Sequence, residues 1–460
     1  MAGEHLLGVL PNGWEDMTLG AACARGGGDI QTGPFGSQLH AADYVPVGIP
    51  SIMPQNIGDN RVVEDGIARI TPADAKRLSR YLVQTGDIVY SRRGDVERRA
   101  LIRETESGWL CGTGCLRVRF GDGSVDSLYA SYYLGHPKVR EWVVRHAHGA
   151  TMPNLNTSIL SALPFVVPPL EDQRAIAHIL GTLDDKIELN RRMNETLEAI
   201  TRLIFKSWFV DFDPVRAKAS GEPPESICRR LGLTLDLLAL FPDRLVDSEL
   251  GEIPEAWTPS TIGEIADVID CLHAKKPERC NTGYPFLQLN NIRDDGLIDM
   301  KDTYFIDDGD YRKWISRMEA RQGDCVITNV GRVGAVAQIP VGLKAALGRN
   351  MTGIRCKHAF PYPTFVIQSL LSDSMRVEIE KKMDTGTILN ALNVKNIPKL
   401  RLVLPDEELL DEFELVCRPL RQRMEHCLLE SSTLANLRDS LLPKLLSGEI
   451  GTTRSELEYA

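Results

Sequence analysis

The sequence lacks long hydrophobic runs and any regular spacing of cysteines. No stretch of about 18 apolar residues occurs, as a membrane-spanning helix would need, and no charged-then-apolar leader follows Met1. The 10 cysteines are scattered without a framework, which favours reduced thiols over disulfides. These absences argue against a membrane or secreted protein and predict a cytoplasmic location.

Signatures of catalysis are missing as well. Neither Pro-Pro pair, in "VVPPLE" or "GEPPES", fits the Asn/Asp-Pro-Pro-aromatic motif of a DNA amino-methyltransferase, and no GxxxxGK[ST] loop is present. No acidic cluster is followed by the Glu-x-Lys of a metal-dependent nuclease. Cys111 and Cys115 have no second ligand pair, and His146 and His148 read as loop or surface residues. We therefore predict no catalytic residue, cofactor or metal in this chain.

The net charge of −10 argues at first sight against a nucleic-acid partner. The acidity, however, lies in residues 166–252 and 405–460, whereas 1–165 and 253–404 are close to neutral. Residues 76–103 form a basic patch that contains eight cations and three acids: Lys76, Arg77, Arg80, Arg92, Arg93, Arg98, Arg99 and Arg103 against Asp87, Asp95 and Glu97. Because salt screens distant charges, such a patch can still meet phosphate groups.

The second half of the chain repeats the first. "GIPSIMPQNI" (48–57) matches "GYPFLQLNNI" (283–292), and "TGDIVYSRRG" (85–94) matches "QGDCVITNVG" (322–331). From there the offset stays at 237, as from Gly149 to Gly386, from Leu155 to Leu392 and from Pro168 to Pro405. Each repeat begins with Gly- and Pro-rich segments and short β-type runs, and it ends in a long helical pattern. This order predicts a mixed α/β domain followed by a helix, twice.

The two helical patterns have the spacing of coiled-coil seams. Residues 171–209 would form a helix roughly 58 Å long at 1.5 Å per residue, and residues 406–447 would form its counterpart, kinked or divided near Pro419. Each stripe needs a partner, and we expect the two helices to pack on each other, antiparallel. The predicted seam is Ile176, Leu180, Leu183, Ile187, Asn190, Asn194, Leu197 and Ile204 with Phe413, Val416, Leu420, Leu434, Leu437 and Leu441. Asn190 and Asn194 would fix register rather than act in catalysis.

Several stretches, taken together and in this order, resemble the specificity subunit of type I restriction–modification systems. They are "GPFGSQLHAADY" (33–44), "GATMPNLN" (149–156), "LPFVVPPLEDQRAIAHIL" (163–180), "LFPDRLVDSELGEIPEAW" (240–257) and "LRDSLLPKLLSGEI" (437–450). The resemblance covers nearly the whole chain. It implies two target-recognition domains with an internal pseudo-twofold repeat, separated by two long antiparallel coiled-coil helices, in an α/β (mixed α+β) fold.

The resemblance also implies the domain boundaries and the partners. We predict a first recognition domain at 1–168, a central helix at 169–210, a linker at 211–252, a second recognition domain at 253–404, a C-terminal helix at 405–450 and a tail at 451–460. Double-stranded DNA with a bipartite target, two modification subunits and restriction subunits are the expected partners. S-adenosylmethionine, ATP and Mg²⁺ would belong to those other subunits.

Contacts to DNA are expected from Arg, Asn, Gln and Ser side chains in Gly-punctuated loops. The candidates are Ser37, Gln38, Gln55, Asn56, Arg92, Arg93, Arg98 and Arg99 in the first repeat, and Asn290, Asn291, Asn329, Arg332, Arg349 and Asn350 in the second. Each of them taken alone is more often a solvated loop residue or a turn former. Recognition domains vary where they read, so the resemblance assigns none of them. The alternatives are a stand-alone DNA-modifying enzyme and a protein-binding scaffold.

Overall fold

The computed structural model describes residues 6–149, 153–384 and 390–451, which leaves Gly386 and nearly all of the predicted tail outside. The chain divides into two compact units, Met1–Ile187 with Thr433–Ala460 and Glu188–Ser432. No helix within the described residues combines the length and the apolar character that crossing a bilayer demands.

The first unit contains two four-stranded sheets, with strand orders β2-β9-β6-β7 and β3-β5-β4-β8, and the antiparallel pair β1–β10. Its strands are β1 (Glu15–Thr18), β2 (Ile30–Thr32), β3 (Tyr44–Val45), β4 (Ile49–Ile52), β5 (Ala68–Ile70), β6 (Ile88–Ser91), β7 (Arg99–Leu101), β8 (Leu110–Cys111), β9 (Cys115–Val118) and β10 (Pro164–Val167). Its helices are α1 (Leu19–Arg25), α2 (Pro72–Arg77), α3 (Ser127–Gly135), α4 (Pro137–His146), α5 (Thr157–Ser161) and the first part of α6 (Leu170–Phe209).

The core of the first unit joins the sheet-rich part to the long helices. Tyr129 and Tyr133 of α3 pack on Phe165 of β10, and their hydroxyls donate to the carbonyl oxygens of Val166 and Pro164, each at 2.9 Å. Ile176 and Leu180 of α6 belong to the same buried cluster, as do Leu445 and Leu446 near the end of the chain. Burying these side chains stabilises the unit by about 1.5–3 kcal/mol each.

The second unit repeats this topology. Its strands are β11 (Leu245–Ser248), β12 (Gly251–Pro254), β13 (Thr258–Thr261), β14 (Ala266–Asp270), β15 (Tyr284–Leu287), β16 (Tyr304–Ile306), β17 (Ala320–Arg321), β18 (Cys325–Thr328), β19 (Val336–Gln338), β20 (Lys344–Leu347), β21 (Met351–Cys356) and β22 (Arg401–Leu404). Its helices are the rest of α6, α7 (Asp213–Ala219), α8 (Pro224–Leu231), α9 (Leu235–Ala239), α10 (Ile262–Ile265), α11 (Asp308–Trp314), α12 (Pro363–Leu371), α13 (Asp373–Lys382) and most of α14 (Glu407–Ser447).

Equivalent strands pair in equivalent ways in the two units, which confirms the predicted duplication and the mixed α/β class. The order β14-β21-β18-β19 repeats β2-β9-β6-β7, and β13–β22 repeats β1–β10. The parallel pairing of β4 with β8 recurs between β15 and β20. The shared "GD" of the two repeats has one structural use: Asp87 and Asp324 are buried and pair with Arg119 and Arg355, each at 2.6 Å.

The two long helices pack on each other within each unit, and they run antiparallel. In the first unit Asp184 accepts from Arg438 at 2.7 Å. In the second, the Asn190 amide donates to Glu430 at 2.8 Å and the Asn194 amide donates to the Met424 carbonyl oxygen at 3.2 Å, while Phe205 packs against Phe413. As the residue numbers rise along α6, the numbers of their partners fall along α14, which is the pattern of antiparallel helices.

Most of the predicted seam residues are buried or half-buried, but two need correction. Val416 is 38% exposed and Leu437 is 45% exposed. The buried face of α14 passes instead through Cys417, Arg421 and Met424. A seam chosen for large apolar residues missed Arg421, which is charged, and Cys417, which is small.

One further expectation about the helical regions is corrected, and the linker between them has secondary structure of its own. Helix α14 continues through Pro419, so the predicted division is wrong; Pro419 lies on the exposed side of the helix, where water can satisfy the carbonyl that its missing N–H leaves free. The predicted linker at 211–252 is folded as α7–α9 and the hairpin β11–β12. It buries Val215, Ile227 and Phe241 beside Trp208 and Phe413, which explains its order.

Candidate nucleic-acid interface

Four loops of the first unit meet at one edge of its sheets. We call residues 33–38, 53–56, 92–98 and 112–114 the first loop cluster. The backbone N–H of Arg92 donates to the Gly114 carbonyl oxygen at 2.8 Å, and that of Gly33 donates to Cys115 at 2.9 Å. Gly114 has φ +87°, a left-handed conformation, and a Cβ there would lie 3.2 Å from Pro54. The cluster therefore has a defined backbone on which side chains are displayed.

Arg92 is the best-placed cation of the first loop cluster. Its backbone is held on both sides, because its N–H donates to Gly114 and its carbonyl oxygen accepts from Leu155, each at 2.8 Å. Its guanidinium carbon lies 5.8 Å from the centre of the Phe35 ring, which is 53% exposed. The Arg92 Nε is buried and has no hydrogen-bond partner among the described residues. The side chain is thus oriented by an aromatic ring and left free for a ligand.

Four residues that we predicted as DNA contacts are buried and bonded inside the protein, and their assignment is corrected. The Asn56 side chain accepts from the Met53 N–H at 3.2 Å and donates to Val63, so it closes its own turn. Asn291 does the same in the second unit, with Gln288 and Asp299. Short-range turns favour Asn for its local hydrogen bonds, which is why both residues resembled readers in the sequence.

Arg99 and Asn329 are the other two corrected residues. The Arg99 Nε donates to the Ser131 carbonyl oxygen at 2.8 Å, and burial lowers the pKa of its guanidinium. A Cβ at Gly135 would lie 1.8 Å from Arg99, so the helix carries glycine there. The Asn329 amide donates to Leu392 at 3.1 Å, and its oxygen accepts from Thr352 at 2.9 Å.

The remaining predicted contacts stay predictions, and the structure places them as follows. Ser37, Gln55, Arg93, Asn290 and Arg349 are exposed, and Asn350 is half-buried. Arg98 pairs with Asp95 at 2.7 Å on the surface, and Arg332 donates to the Ile292 carbonyl oxygen at 2.6 Å and pairs with Asp294. The Gln38 oxygen is occupied, since it accepts from the Phe35 N–H at 3.2 Å and the Tyr81 hydroxyl at 2.8 Å.

A matching set of loops exists in the second unit, which we call the second loop cluster (289–291, 329–333 and 348–350). Asn329 takes the structural place of Arg92: its N–H donates to the Asn350 carbonyl oxygen at 2.8 Å and its carbonyl oxygen accepts from Leu392 at 2.9 Å. Asn350 has φ +66°, so it adopts a left-handed backbone conformation, as Gly114 does with φ +87°. The two clusters have equivalent backbone hydrogen bonds, but the second has the buried amide of Asn329 where the first has the guanidinium of Arg92.

Two features were missed by sequence reasoning. Phe35 is one, and its signal would have been an aromatic residue inside a Gly-rich loop. The other is the exposed basic run Lys275, Lys276 and Arg279 between β14 and β15, where the Lys276 amine lies 4.3 Å from the Tyr304 ring centre and Arg279 lies 5.7 Å from it. The run "HAKKPER" was visible in the sequence as a local cation cluster.

Cys111, Cys115 and His146 pack against or bond to their neighbours, whereas His148 is exposed and its backbone pairs with that of Asn154. Cys111 and Cys115 lie on β8 and β9, and burial raises the pKa of the Cys111 thiol to about 12 and that of Cys115 well above its usual range. The Cys115 thiol donates to the Ile52 carbonyl oxygen at 3.2 Å. Both therefore stay protonated at neutral pH, which disfavours nucleophilic attack. His146 stacks on Trp142 with ring centres 3.9 Å apart.

Comparisons with known proteins agree on one family. Residues 12–199 match the model of the type I restriction modification DNA specificity domain. The chain is 25% identical over 449 residues to the type I restriction enzyme HindI specificity subunit of Haemophilus influenzae, covering 87% of this chain and 95% of that protein. It is 24% identical to the MjaIX specificity subunit of Methanocaldococcus jannaschii, covering 97% and 96%.

A solved structure shares the fold. The crystal structure of the type I restriction–modification system S subunit from M. genitalium aligns over 95% of this chain and 98% of that one, with a TM-score of 0.56 and 16% sequence identity. At this identity the likeness concerns the architecture alone.

Proposed function

Because residues 12–199 match the type I restriction modification DNA specificity domain and the chain aligns along most of its length with type I specificity subunits, we propose that it is such a subunit and reads a bipartite DNA sequence, with one loop cluster for each half-site. The observation that carries this proposal is the equivalent backbone of the two clusters combined with their different side chains, as at Arg92 and Asn329. One fold displayed twice with different residues suits the reading of two different short sequences.

The long helices are the proposed attachment site for two modification subunits, which restriction subunits can join. Several large apolar side chains of these helices are exposed, among them Leu189, Ile200 and Leu203 of α6 and Leu415 of α14. Exposed apolar side chains on helices that already have a mutual seam favour a protein partner on the outer faces. We propose that the assembled enzyme acts on DNA in the cytoplasm.

The chain's own contribution is recognition and assembly, without a catalytic step. S-adenosylmethionine for methyl transfer, and ATP and Mg²⁺ for cleavage, are proposed to bind the partner subunits. Cys111, Cys115 and His146 support this division, because each is buried or engaged by its neighbours.

The test is to co-express the chain with its modification subunits and to map methylated positions across a genome. We expect one motif made of two short defined sequences separated by a spacer of constant length and undefined bases. A contiguous motif would contradict reading by two clusters, and methylation by the purified chain alone would show that it is a stand-alone enzyme. A chain that shows no salt-dependent affinity for duplex DNA would be a protein-binding scaffold instead.

A further inference from the structure

The second unit contains a cavity of 670 Å³ between α14 and the sheet-rich part of that unit. Basic side chains predominate along its wall: Arg321, Arg355, Lys357, Arg418 and Arg421 against Asp267, Asp324 and Glu425. The volume lies within the roughly 300–1,000 Å³ that is common for small-molecule sites. The cavity lies away from the second loop cluster and shares no lining residue with it.

Arg421 lines this cavity as a buried charge whose direct hydrogen-bond partners are neutral, while Glu425, Asp295 and Glu198 act on it only at longer range. The residue is 2% exposed, its Nη2 donates to the Gly296 carbonyl oxygen at 2.9 Å, and its Nε donates to the Gln338 side-chain oxygen at 3.4 Å. Both acceptors are neutral, and no carboxylate of the described residues forms an ion pair with it. A guanidinium removed from water without a paired anion is destabilising, so an anionic ligand would stabilise it.

Among the described residues that line the cavity, no carboxylate forms an ion pair with Arg421 or Arg321. Asp324 pairs with Arg355 at 2.6 Å. Glu414, which lies below the wall, accepts from the N–H groups of Thr364 and Phe365 and pairs with Arg418. Burial raises the pKa of Glu425, and its carboxylate accepts from the Val341 N–H at 3.4 Å.

Arg321 adds a second cation at the rim of the cavity. It is exposed, and its guanidinium has no hydrogen bond or ion pair with any residue that the structure describes. The buried guanidinium of Arg421 and the exposed guanidinium of Arg321 both line this cavity, and each has N–H groups that can donate to one bound ligand. Guanidinium groups match the geometry of phosphate oxygens better than ammonium groups do.

The first repeat provides an internal comparison. Subtracting the repeat offset of 237 from 421 gives Asp184, at the equivalent position of α6. Asp184 is fully engaged, since it accepts from Arg438 and from the Tyr132 hydroxyl, each at 2.7 Å. At this helical position the first unit therefore has a carboxylate with a direct ion pair, Asp184, and the second unit has a guanidinium, Arg421, without one among the described residues.

We propose that this cavity binds a small phosphate-bearing molecule, whose oxyanion contacts Arg421 from the buried side and Arg321 from the rim. The ligand is either free inorganic phosphate or a mononucleotide, because both present the same oxyanion and the cavity has room for the larger of them. The proposal does not depend on the DNA-reading role of the loops.

The experiment is a calorimetric titration of the full chain with inorganic phosphate and, separately, with adenosine monophosphate, in chloride buffer of matched ionic strength. We expect saturable binding that weakens at least tenfold in both Arg421→Met and Arg321→Gln. The control is Arg312→Gln, which removes an exposed arginine of the same unit that lies outside the cavity and pairs with Asp308. Tighter binding of the mononucleotide would identify the larger ligand, and equal affinity would identify phosphate.

The proposal is overturned if neither probe gives saturable heat, or if both cavity variants bind as tightly as Arg312→Gln. Should Arg421→Met fail to fold, Arg321→Gln decides the question alone, since an exposed rim residue can be changed without loss of the core. An unchanged affinity in Arg321→Gln would then overturn the proposal, because the ligand is proposed to contact both arginines.

Discussion

At the scale of single residues, Arg92 is the side chain that we expect to contact a DNA base. A fixed backbone and an aromatic platform reduce the entropy that the side chain loses on binding, and a free guanidinium fork suits the O6 and N7 atoms of guanine. Arg93 beside it is exposed and has no such platform, so we expect it to contact phosphate.

Replacing Arg92 with alanine should therefore relax the first half-site and leave the second unchanged. We expect a loss of about 1–3 kcal/mol of discrimination at one guanine, measured as the ratio of affinities for the target and for a duplex substituted at that base. Arg93→Ala is the matched control and should weaken both duplexes equally, with a shallower dependence on salt. If Arg92→Ala also weakens both duplexes equally, Arg92 is a phosphate contact.

The buried ion pair of the repeated "GD" segment gives a stability prediction. Asp87 is buried, so Asp87→Asn leaves Arg119 without its partner and should destabilise the first unit by about 3–5 kcal/mol. Asp95→Asn breaks the exposed pair with Arg98 and should change stability by about 1 kcal/mol or less. Urea unfolding followed by circular dichroism measures both. Equal effects of the two variants would contradict the role given to burial.

At the scale of secondary-structure elements, patterns of spacing predicted more than residue types did. The repeat offset, the β-type runs and the two long helices all follow from periodicity, and the strand pairing confirms them. Residue type misled where tertiary context decides: Asn56 and Asn291 look like base readers but close turns, and Arg421 looks like a surface residue but is buried. A linear sequence does not show which polar side chains have an internal partner.

We expect replacement of the two buried asparagines of the helix seam to have different effects on stability. Asn194 has a buried side-chain oxygen without a partner among the described residues, and its amide bonds only to the Met424 carbonyl oxygen, at 3.2 Å. Asn194→Leu should therefore stabilise the protein by about 1 kcal/mol, because it removes an unsatisfied polar atom and adds apolar contact.

Asn190 also has a buried oxygen without a partner in the described part of the chain, but Asn190→Leu should bring no gain, since it also removes the 2.8 Å hydrogen bond to the charged Glu430 carboxylate. Thermal melting of the two variants side by side distinguishes them, with a rise of about 2–4 °C expected for Asn194→Leu alone. A fall in melting temperature for Asn194→Leu would mean that its amide hydrogen bond outweighs the orphaned oxygen.

At the scale of the whole molecule, the duplication predicts modular reading. Exchange of residues 1–165 for the same region of a similar specificity subunit should replace one half of the methylated motif and leave the other half unchanged. The second loop cluster keeps all of its backbone contacts in such a chimera, because they lie within residues 289–392. Methylome mapping measures the result, and a change in both halves would contradict independent reading by the two clusters.

The spacer between the half-sites is the property that we expect the long helices to set. Both helices contribute to both units, with the change of unit at Ile187–Glu188 in α6 and Ser432–Thr433 in α14. Insertion of seven residues at each of these two places adds about 10 Å of helix, and seven residues are nearly two full turns, so the seam keeps its face. We expect the methylated motif to keep both half-sites and to gain about three base pairs of spacer, at 3.4 Å per base pair.

Insertion into α6 alone is the control and should abolish methylation, because it shifts Asn190 and Asn194 out of register with α14. A changed half-site, or an unchanged spacer in an active double insertion, would show that the helices do not determine the distance.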